Sequence, residues 1–134
     1  MSNKSVQRQA LDRAIEAWNN RDLKGYLELY GQRIALYGYT RLPMNKAEVR
    51  DFYERFFAAF SDVVLEPHEF VESESQIGFT FTMHATHTGE ISGVPATSKR
   101  VSAPGITIMH FDGDRVVERF SVGNIQSVMA QLRA

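Results

Sequence analysis

The chain has 134 residues, 43% of them hydrophobic, and a formal net charge of −1, which predicts one domain over residues 1–134. It contains no cysteine, which excludes disulfides, thiolate nucleophiles and cysteine-ligated metals, and it has no Lys/Arg cluster of the kind that binds nucleic acid. No apolar run approaches the ~20 residues that cross a bilayer and no signal peptide is recognised, so we expect a cytoplasmic protein with no membrane partner.

Three amphipathic helices are predicted before the main strand region. The first has one apolar face at i, i+3, i+4 and i+7 spacing, formed by Leu11, Ala14, Ile15 and Trp18. Asp22 can cap a second helix, with a face of Leu23, Tyr26, Leu27 and Tyr30. Asn45 and Glu48 have the spacing of a capping box for the third helix, whose aromatic face is Val49, Phe52, Tyr53, Phe56 and Phe60.

Strands are predicted over residues 33–39, 63–71, 77–86, 100–111 and 115–123. The third of these alternates apolar residues with Gly, Thr and His, the period-2 pattern of a strand with one buried face. A tight turn at Asp112-Gly113 joins the last two, and Asn124 can cap a final short helix. Helices grouped first and strands grouped later predict an α+β domain.

Several short motifs lie between and within these elements, namely Ala59-Phe-Ser-Asp62, His84-Ala-Thr-His-Thr-Gly-Glu90, Gly93-Val-Pro95, Pro104-Gly-Ile106 and Val117-Glu-Arg-Phe-Ser121. As a set, from about residue 11 to residue 132, they resemble the SnoaL-like polyketide cyclases of the nuclear transport factor 2-like superfamily. The resemblance implies a cone-shaped fold in which a curved antiparallel sheet wraps around three N-terminal helices. It also implies an interior ligand pocket, no cofactor, and a dimer formed sheet to sheet.

Two positions depart from the family's catalytic pattern. Cyclases of this family close a ring by aldol condensation, which needs a base for a C–H proton and an acid for the carbonyl oxygen. Their Asp directly follows the Trp of a V-E-x-W-D motif, and here these positions hold Phe120 and Ser121. A His often found after the Pro-Gly pair is Thr107 here. We therefore expect no aldol cyclase activity that uses these two positions.

Strand parity selects the residues that face the cone interior. If position 121 points inward, so do Arg119, Thr107 and His87, while a one-residue slip or a bulge would reverse the assignment. The candidate catalytic residues are His87, Arg119 and Ser121. The candidate ligand-binding residues are Trp18, Tyr37, Phe56, Phe60, Phe81, Met83, Thr107 and Asn124, and Tyr39 is a further hydroxyl that could face a ligand.

Each polar candidate also has a purely structural interpretation. His87 can bond to backbone near the end of its strand, Arg119 can pair with a carboxylate, and Ser121 can fill space. Asn124 matches a second family Asp, but it also has the position of a helix N-cap. No metal site is predicted, because His84 and His87 leave opposite faces of their strand.

Two classes of function remain open at this stage. One is a cofactor-free cyclase or isomerase acting on a small apolar carbonyl compound of polyketide- or steroid-like type. The alternative is a non-catalytic module that binds such a compound. In either case we expect a homodimer through the outer sheet face, because the outward positions of the last two strands are the apolar residues Ile106, Ile108, Phe120 and Val122.

Overall fold

A computed structural model describes residues 4–123 and 125–134, with the backbone alone for 125 and 126. Its elements in chain order are α1 (Val6–Asn19), α2 (Leu23–Leu27), β1 (Tyr30–Tyr37), α3 (Lys46–Ala59), β2 (Val64–Glu72), β3 (Gln76–Thr86), β4 (Arg100–Asp112), β5 (Arg115–Val122) and α4 (Ile125–Arg133). The predicted α+β class is confirmed. No helix in the described ranges is long and apolar enough to cross a membrane.

Side chains with short polar groups begin the helices, as their positions in the sequence predict. The carboxylate of Asp22 accepts a hydrogen bond of 2.9 Å from the backbone N–H of Gly25 at the start of α2. Asn45 and Glu48 form both halves of a capping box at the start of α3. These bonds satisfy N–H groups that have no partner within the helix.

The five strands form one curved, open sheet in the order β1-β5-β4-β3-β2. The β2–β3, β3–β4 and β4–β5 pairs are antiparallel, as expected. The β1–β5 pair is parallel, which corrects the expectation of a wholly antiparallel sheet. A parallel pair needs a long connection, and here α3 and three strands lie between β1 and β5.

The beginning of β1 also differs from the prediction. Tyr30 fits the apolar face of the second predicted helix, but α2 ends at Leu27 and Tyr30 is the first residue of β1. Tyr30 pairs with Val116 of β5, whose N–H donates to the carbonyl oxygen of Leu29 at 2.7 Å. Backbone groups that would form hydrogen bonds within a longer α2 therefore form hydrogen bonds to β5 of the sheet.

The concave face of the sheet and the helices enclose one hydrophobic core. Burial alternates along β4 and β5 with the predicted parity, and the buried set includes Ala103, Thr107, Met109, Arg119 and Ser121. The register pairs Phe79 with Thr107 and Thr107 with Ser121, so these three neighbours lie side by side on the concave face. The sheet thereby carries polar side chains into an otherwise apolar interior.

Gly38, which follows β1, provides a test of this packing. Its φ is +111°, and a Cβ there would lie 1.8 Å from the carbonyl oxygen of Ser121. Gly93 also has a positive φ, of +82°, but a Cβ there would meet no atom within 4 Å. We expect Gly93→Ala to lower the free energy of unfolding by about 1 kcal/mol through backbone strain alone. Gly38→Ala should lower it by roughly 2 kcal/mol more, because β1 and β5 must move apart.

Denaturant unfolding of the two variants and the parent chain measures this difference. Equal losses for Gly38→Ala and Gly93→Ala would contradict the close approach of β1 to β5.

Candidate functional site

The guanidinium of Arg119 is the centre of the polar interior. β5 directs this side chain to the concave face, and only 3% of the residue is exposed. Its Nε donates to Oγ1 of Thr107 at 2.8 Å. Its Nη1 contacts three phenol oxygens, those of Tyr26 at 3.0 Å, Tyr30 at 2.5 Å and Tyr53 at 3.1 Å. Among the described residues, the hydrogen bonds of the Arg119 guanidinium all go to hydroxyl oxygens.

These hydroxyls come from four different elements. Tyr26 lies on α2, Tyr30 begins β1, Tyr53 lies in the middle of α3, and Thr107 lies on β4 beside β5. The phenol oxygens of Tyr26 and Tyr30 are 2.7 Å apart, so one donates to the other. The hydroxyl of Thr107 donates to the carbonyl oxygen of Phe120 at 3.0 Å, which leaves a lone pair for Arg119.

No carboxylate in the described part of the chain pairs with this charge. The ion pairs among residues 4–123 and 125–134 do not include Arg119, so the predicted structural alternative of a paired guanidinium is not observed. Burial opposes the charge, but the surrounding phenol oxygens outweigh burial and hold the pKa of Arg119 well above its ordinary value. Arg119 is therefore a protonated cation inside the protein, with neutral partners.

The buried tyrosines next to Arg119 divide into two kinds. Burial raises the pKa of the Tyr30 and Tyr53 phenols well above the ordinary value, although the charge of Arg119 acts in the opposite direction. Burial alone would also raise the pKa of Tyr39, but Arg119 and the hydrogen bonds from Ser121 and Tyr53 outweigh it. The pKa of Tyr39 is consequently lowered from its ordinary value.

A cavity of about 120 Å³ lies beside these hydroxyls. Its lining is mostly apolar, and it consists of Gly38, Tyr39, Phe52, Tyr53, Phe56, Phe81, Met83, Ala103, Pro104, Gly123 and Val128. Among these lining residues, Tyr39 and Tyr53 are the two whose side chains carry a hydroxyl group. Because Tyr53 also contacts Nη1 of Arg119, the cavity wall is joined to the buried cation by one hydrogen bond.

The structure brings several of the sequence-predicted residues to this site. Phe56, Phe81 and Met83 line the cavity. Arg119 and Thr107 are bonded to each other, and the hydroxyl of Ser121 lies 3.4 Å from the phenol oxygen of Tyr39. Trp18 and Phe60 lie one layer behind the wall, since both rings pack against Phe56, at centroid distances of 6.3 Å and 5.0 Å.

Two predicted residues in the described part of the chain lie away from the cavity. Tyr37 lies on the outer face of the sheet, where its ring stacks on Phe120 at 4.7 Å. His87 is fully buried but does not line the cavity, and its Nδ1 accepts from the backbone N–H of Thr97 at 3.2 Å. Asn124 falls outside the described residues, so its predicted capping and ligand roles have no structural description.

His87 forms a separate buried polar position. Since Nδ1 is an acceptor, the neutral ring carries its proton on Nε2, and Nε2 has no hydrogen-bond partner among the described residues. The ring packs against Phe60 at 5.5 Å. This fits the structural interpretation of His87 as a residue bonded to nearby backbone.

Sequence reasoning did not identify Tyr26, Tyr30 and Tyr53 as part of the polar site. In the sequence all three fit the apolar faces of predicted helices, because a tyrosine ring packs as well as a phenylalanine ring. The available signal was the combination of buried tyrosines with an arginine at an inward strand position. A buried phenol needs a hydrogen-bond partner, and Arg119 needs acceptors.

No metal centre is found in the described part of the chain, where no three His, Cys, Asp or Glu side chains are grouped suitably for an ion. His84 bonds instead to Ser102 at 2.9 Å and to Glu66 at 3.2 Å, in an exposed position on the outer side. The polar groups next to the cavity are a guanidinium and hydroxyl groups.

Comparisons with known proteins agree with this architecture. A family model described as SnoaL-like polyketide cyclase matches residues 8–132. AclR of Streptomyces galilaeus, a candidate hydroxylase, is 28% identical with a TM-score of 0.87, over 95% of each chain. IdmH of Streptomyces antibioticus, a candidate polyketide cyclase, is 19% identical with a TM-score of 0.81, over 96% of this chain and 99% of its own. A candidate polyketide cyclase from Acidithiobacillus ferrooxidans is 22% identical with a TM-score of 0.82, over 99% of this chain and 98% of its own. No curated protein matches the chain.

Proposed function

This chain belongs to the SnoaL-like polyketide cyclase family, and from that premise we propose that it binds a small apolar carbonyl compound of polyketide- or steroid-like type inside the cone. We further propose that it acts on this compound as a cofactor-free cyclase or isomerase. The similar solved structures include a candidate hydroxylase as well as candidate cyclases. The reaction type is therefore argued from the site and not from these proteins.

The observation that carries the proposal is the uncompensated charge of Arg119 beside an apolar cavity. Removing a proton next to a carbonyl group builds negative charge on the carbonyl oxygen. A fixed cation and oriented hydroxyls in a water-poor site stabilise such charge far better than water does. Tyr53 is suited to transmit this effect, because its hydroxyl both lines the cavity and contacts the guanidinium.

The cavity volume limits the part of a ligand that it can enclose. About 120 Å³ is close to the size of an apolar cavity that holds one benzene ring. Phe52 and Phe56 separate it from an open groove of about 380 Å³, which is also lined by Arg55, Glu90 and Ser92. We propose that one ring of the ligand occupies the cavity and that the rest extends past the two phenylalanines into the groove.

The residues at the family's catalytic positions have other tasks in this chain. Thr107 uses its hydroxyl as a donor to the Phe120 carbonyl and as an acceptor from Arg119. Ser121 donates to the phenol oxygen of Tyr39. Neither hydroxyl is a base at neutral pH, so an aldol mechanism through these two positions stays excluded in this proposal.

A specific observation favours the alternative, a non-catalytic binding module. No carboxylate or imidazole is among the described residues that line the cavity. A binding site needs only shape and a few polar contacts, whereas proton abstraction needs an acceptor of suitable pKa. The two functions therefore differ in whether the interior holds a group that can accept a proton.

Filling the cavity tests the binding site. Ala103→Leu places a larger side chain in the cavity, and we expect at least a roughly tenfold loss of affinity for 2-indanone, a small enolisable ketone. Ser102→Leu is the matched control, because the neighbouring side chain points to the opposite face. Trp18 is the single tryptophan and its ring contacts Tyr53 and Phe56 of the cavity wall, so its fluorescence reports binding.

Thermal unfolding would establish that both leucine variants fold. Equal affinities of the parent chain, Ala103→Leu and Ser102→Leu for 2-indanone would refute binding in this cavity.

We also propose that two copies associate through the outer face of the sheet. That face carries large apolar side chains with substantial exposure, namely Ile106 at 49%, Ile108 at 44%, Phe120 at 44% and Val122 at 71%. These residues are cross-strand neighbours in β4 and β5. An apolar patch of this kind is uncommon on a protein that remains monomeric.

A charge in the centre of this patch should separate the copies. We expect sedimentation velocity at micromolar concentration to give a dimer for the parent chain and a monomer for Ile108→Lys, because an unpaired ammonium would be buried at the interface. Leu42→Lys, at a position 70% exposed in the loop before α3, should remain dimeric. A monomeric parent chain would contradict the proposed interface.

A further inference from the structure

We propose that Tyr39 is the residue that exchanges a proton with the ligand, its phenolate acting as the base beside the buried charge of Arg119. The inference rests on the proposed function, since it names the proton acceptor of that same site. The alternative of a non-catalytic binding module is favoured because no carboxylate or imidazole is among the described residues that line the cavity. A tyrosine that acts as the base would supply the missing proton acceptor.

Tyr39 is placed in the cavity by its backbone and by its ring. It follows Gly38, whose positive φ and close approach to the Ser121 carbonyl set the direction of the chain after β1. The ring stacks on Phe52 with a centroid distance of 5.1 Å and an interplanar angle of 11°. Both residues line the cavity, so the ring of Tyr39 forms part of the cavity wall.

The hydrogen bonds around Tyr39 all point toward its oxygen. Ser121 and Tyr53 each donate to this oxygen at 3.4 Å, and Tyr39 itself donates to no described residue. These contacts are longer than a standard O–H···O bond, and catalytic hydrogen bonds often tighten when a ligand binds. An oxygen with two donors and no acceptor is suited to a phenolate, or to a phenol whose proton is directed at the ligand.

The charged and titratable groups that face Tyr39 favour its ionisation over that of its neighbours. Arg119 on β5 contributes the positive charge, while burial holds the pKa of Tyr30 on β1 and of Tyr53 on α3 well above the ordinary value. Tyr26 on α2 is a further phenol in contact with the guanidinium. Lys46 on α3 donates from Nζ to the backbone carbonyl oxygen of Tyr30 at 2.9 Å. No Asp, Glu, Lys or His side chain of the described chain bonds to the guanidinium or the phenol oxygens of this cluster. The lowered pKa of Tyr39 and the raised pKa of Tyr30 and Tyr53 agree with this assignment.

The proposed step needs no oxidant, reductant or cofactor. The phenolate oxygen of Tyr39 takes a proton from the carbon next to the ligand carbonyl, and the C–H electron pair forms the C=C bond of an enolate. The negative charge moves from the phenolate to the carbonyl oxygen, so the total charge beside Arg119 does not change. Return of the proton to a different carbon gives an isomer. In ring closure the enolate carbon forms a C–C bond to a second carbonyl carbon, the π bond of that carbonyl breaks, and the resulting alkoxide takes the proton back from the Tyr39 phenol.

In this proposal Ser121 is a positioning residue, because it acts on the ligand only through Tyr39. Its hydroxyl fixes the phenol oxygen and stabilises the phenolate by donating a hydrogen bond. The base would thus be held by Ser121, the residue at the position where the family's cyclases have their Asp.

The first test measures the ionisation of Tyr39 without any ligand. The near-ultraviolet absorbance of tyrosinate is titrated with pH for the parent chain, Tyr39→Phe and Tyr37→Phe. We expect Tyr39→Phe to remove the transition at lowest pH from the five tyrosines of the chain. Tyr37→Phe should retain it, because Tyr37 lies on the outer face against Phe120. A lowest transition that survives in Tyr39→Phe would overturn the proposal.

The second test measures proton abstraction directly, by deuterium exchange at the α-carbons of 2-indanone in D₂O, followed by NMR. The rate with the parent chain should rise with pH and level off above the Tyr39 transition. Tyr39→Phe should lower the rate at least about 100-fold while retaining 2-indanone binding by Trp18 fluorescence, and Tyr37→Phe should exchange at the parent rate. Bound 2-indanone that exchanges equally with the parent chain and with Tyr39→Phe, or no faster than in buffer, would overturn the role of Tyr39. Failure of 2-indanone to bind at all would count against the proposed function, and the absorbance titration would still decide whether Tyr39 ionises first.

Discussion

The buried positive charge of Arg119, which has no carboxylate partner among the described residues, is the constraint around which the interior of this protein is organised. Transferring a cation from water to a protein interior costs several kcal/mol unless other groups replace its hydration. Here one threonine and three tyrosine hydroxyls do so, and hydrogen bonds to a charged group contribute roughly 1.5–3 kcal/mol each. Because these hydroxyls come from α2, β1, α3 and β4, the same bonds that stabilise the cation also hold the helices against the sheet.

This arrangement gives a common reason for the two departures from the family's catalytic pattern. Ser121 lies on the same face as Arg119, two residues further along β5, and Thr107 bonds to Arg119 directly. A carboxylate at position 121 would be a natural ion-pair partner for the guanidinium and would reduce its effect on any other anion. With neutral side chains at both positions, the charge remains available to stabilise a phenolate or an enolate oxygen.

Much of the fold follows from local patterns in the sequence, whereas the composition of the site does not. Period-2 alternation correctly predicts the inward position of Arg119, Ser121 and Thr107, because each lies on a long strand with one buried face. It does not determine the side on which Tyr37 lies, because the register of β1 with β5 shifts between Tyr30 and Ala35. One guanidinium contacts Tyr26, Tyr30 and Tyr53 because α2, β1 and α3 pack together around it. The spacing of these residues along the sequence does not predict this contact.

The central claim is that Arg119 makes the cavity favour a negatively charged oxygen, and the pKa of a bound phenol tests it most directly. The absorbance of 4-nitrophenol distinguishes phenol from phenolate, so its titration in complex with the protein gives this pKa. With the parent chain, we expect bound 4-nitrophenol to have a lower pKa than free 4-nitrophenol. With Arg119→Met, we expect no lowering of this pKa, because the apolar walls alone disfavour the anion. A bound 4-nitrophenol whose pKa is higher than in solution would contradict this role of Arg119.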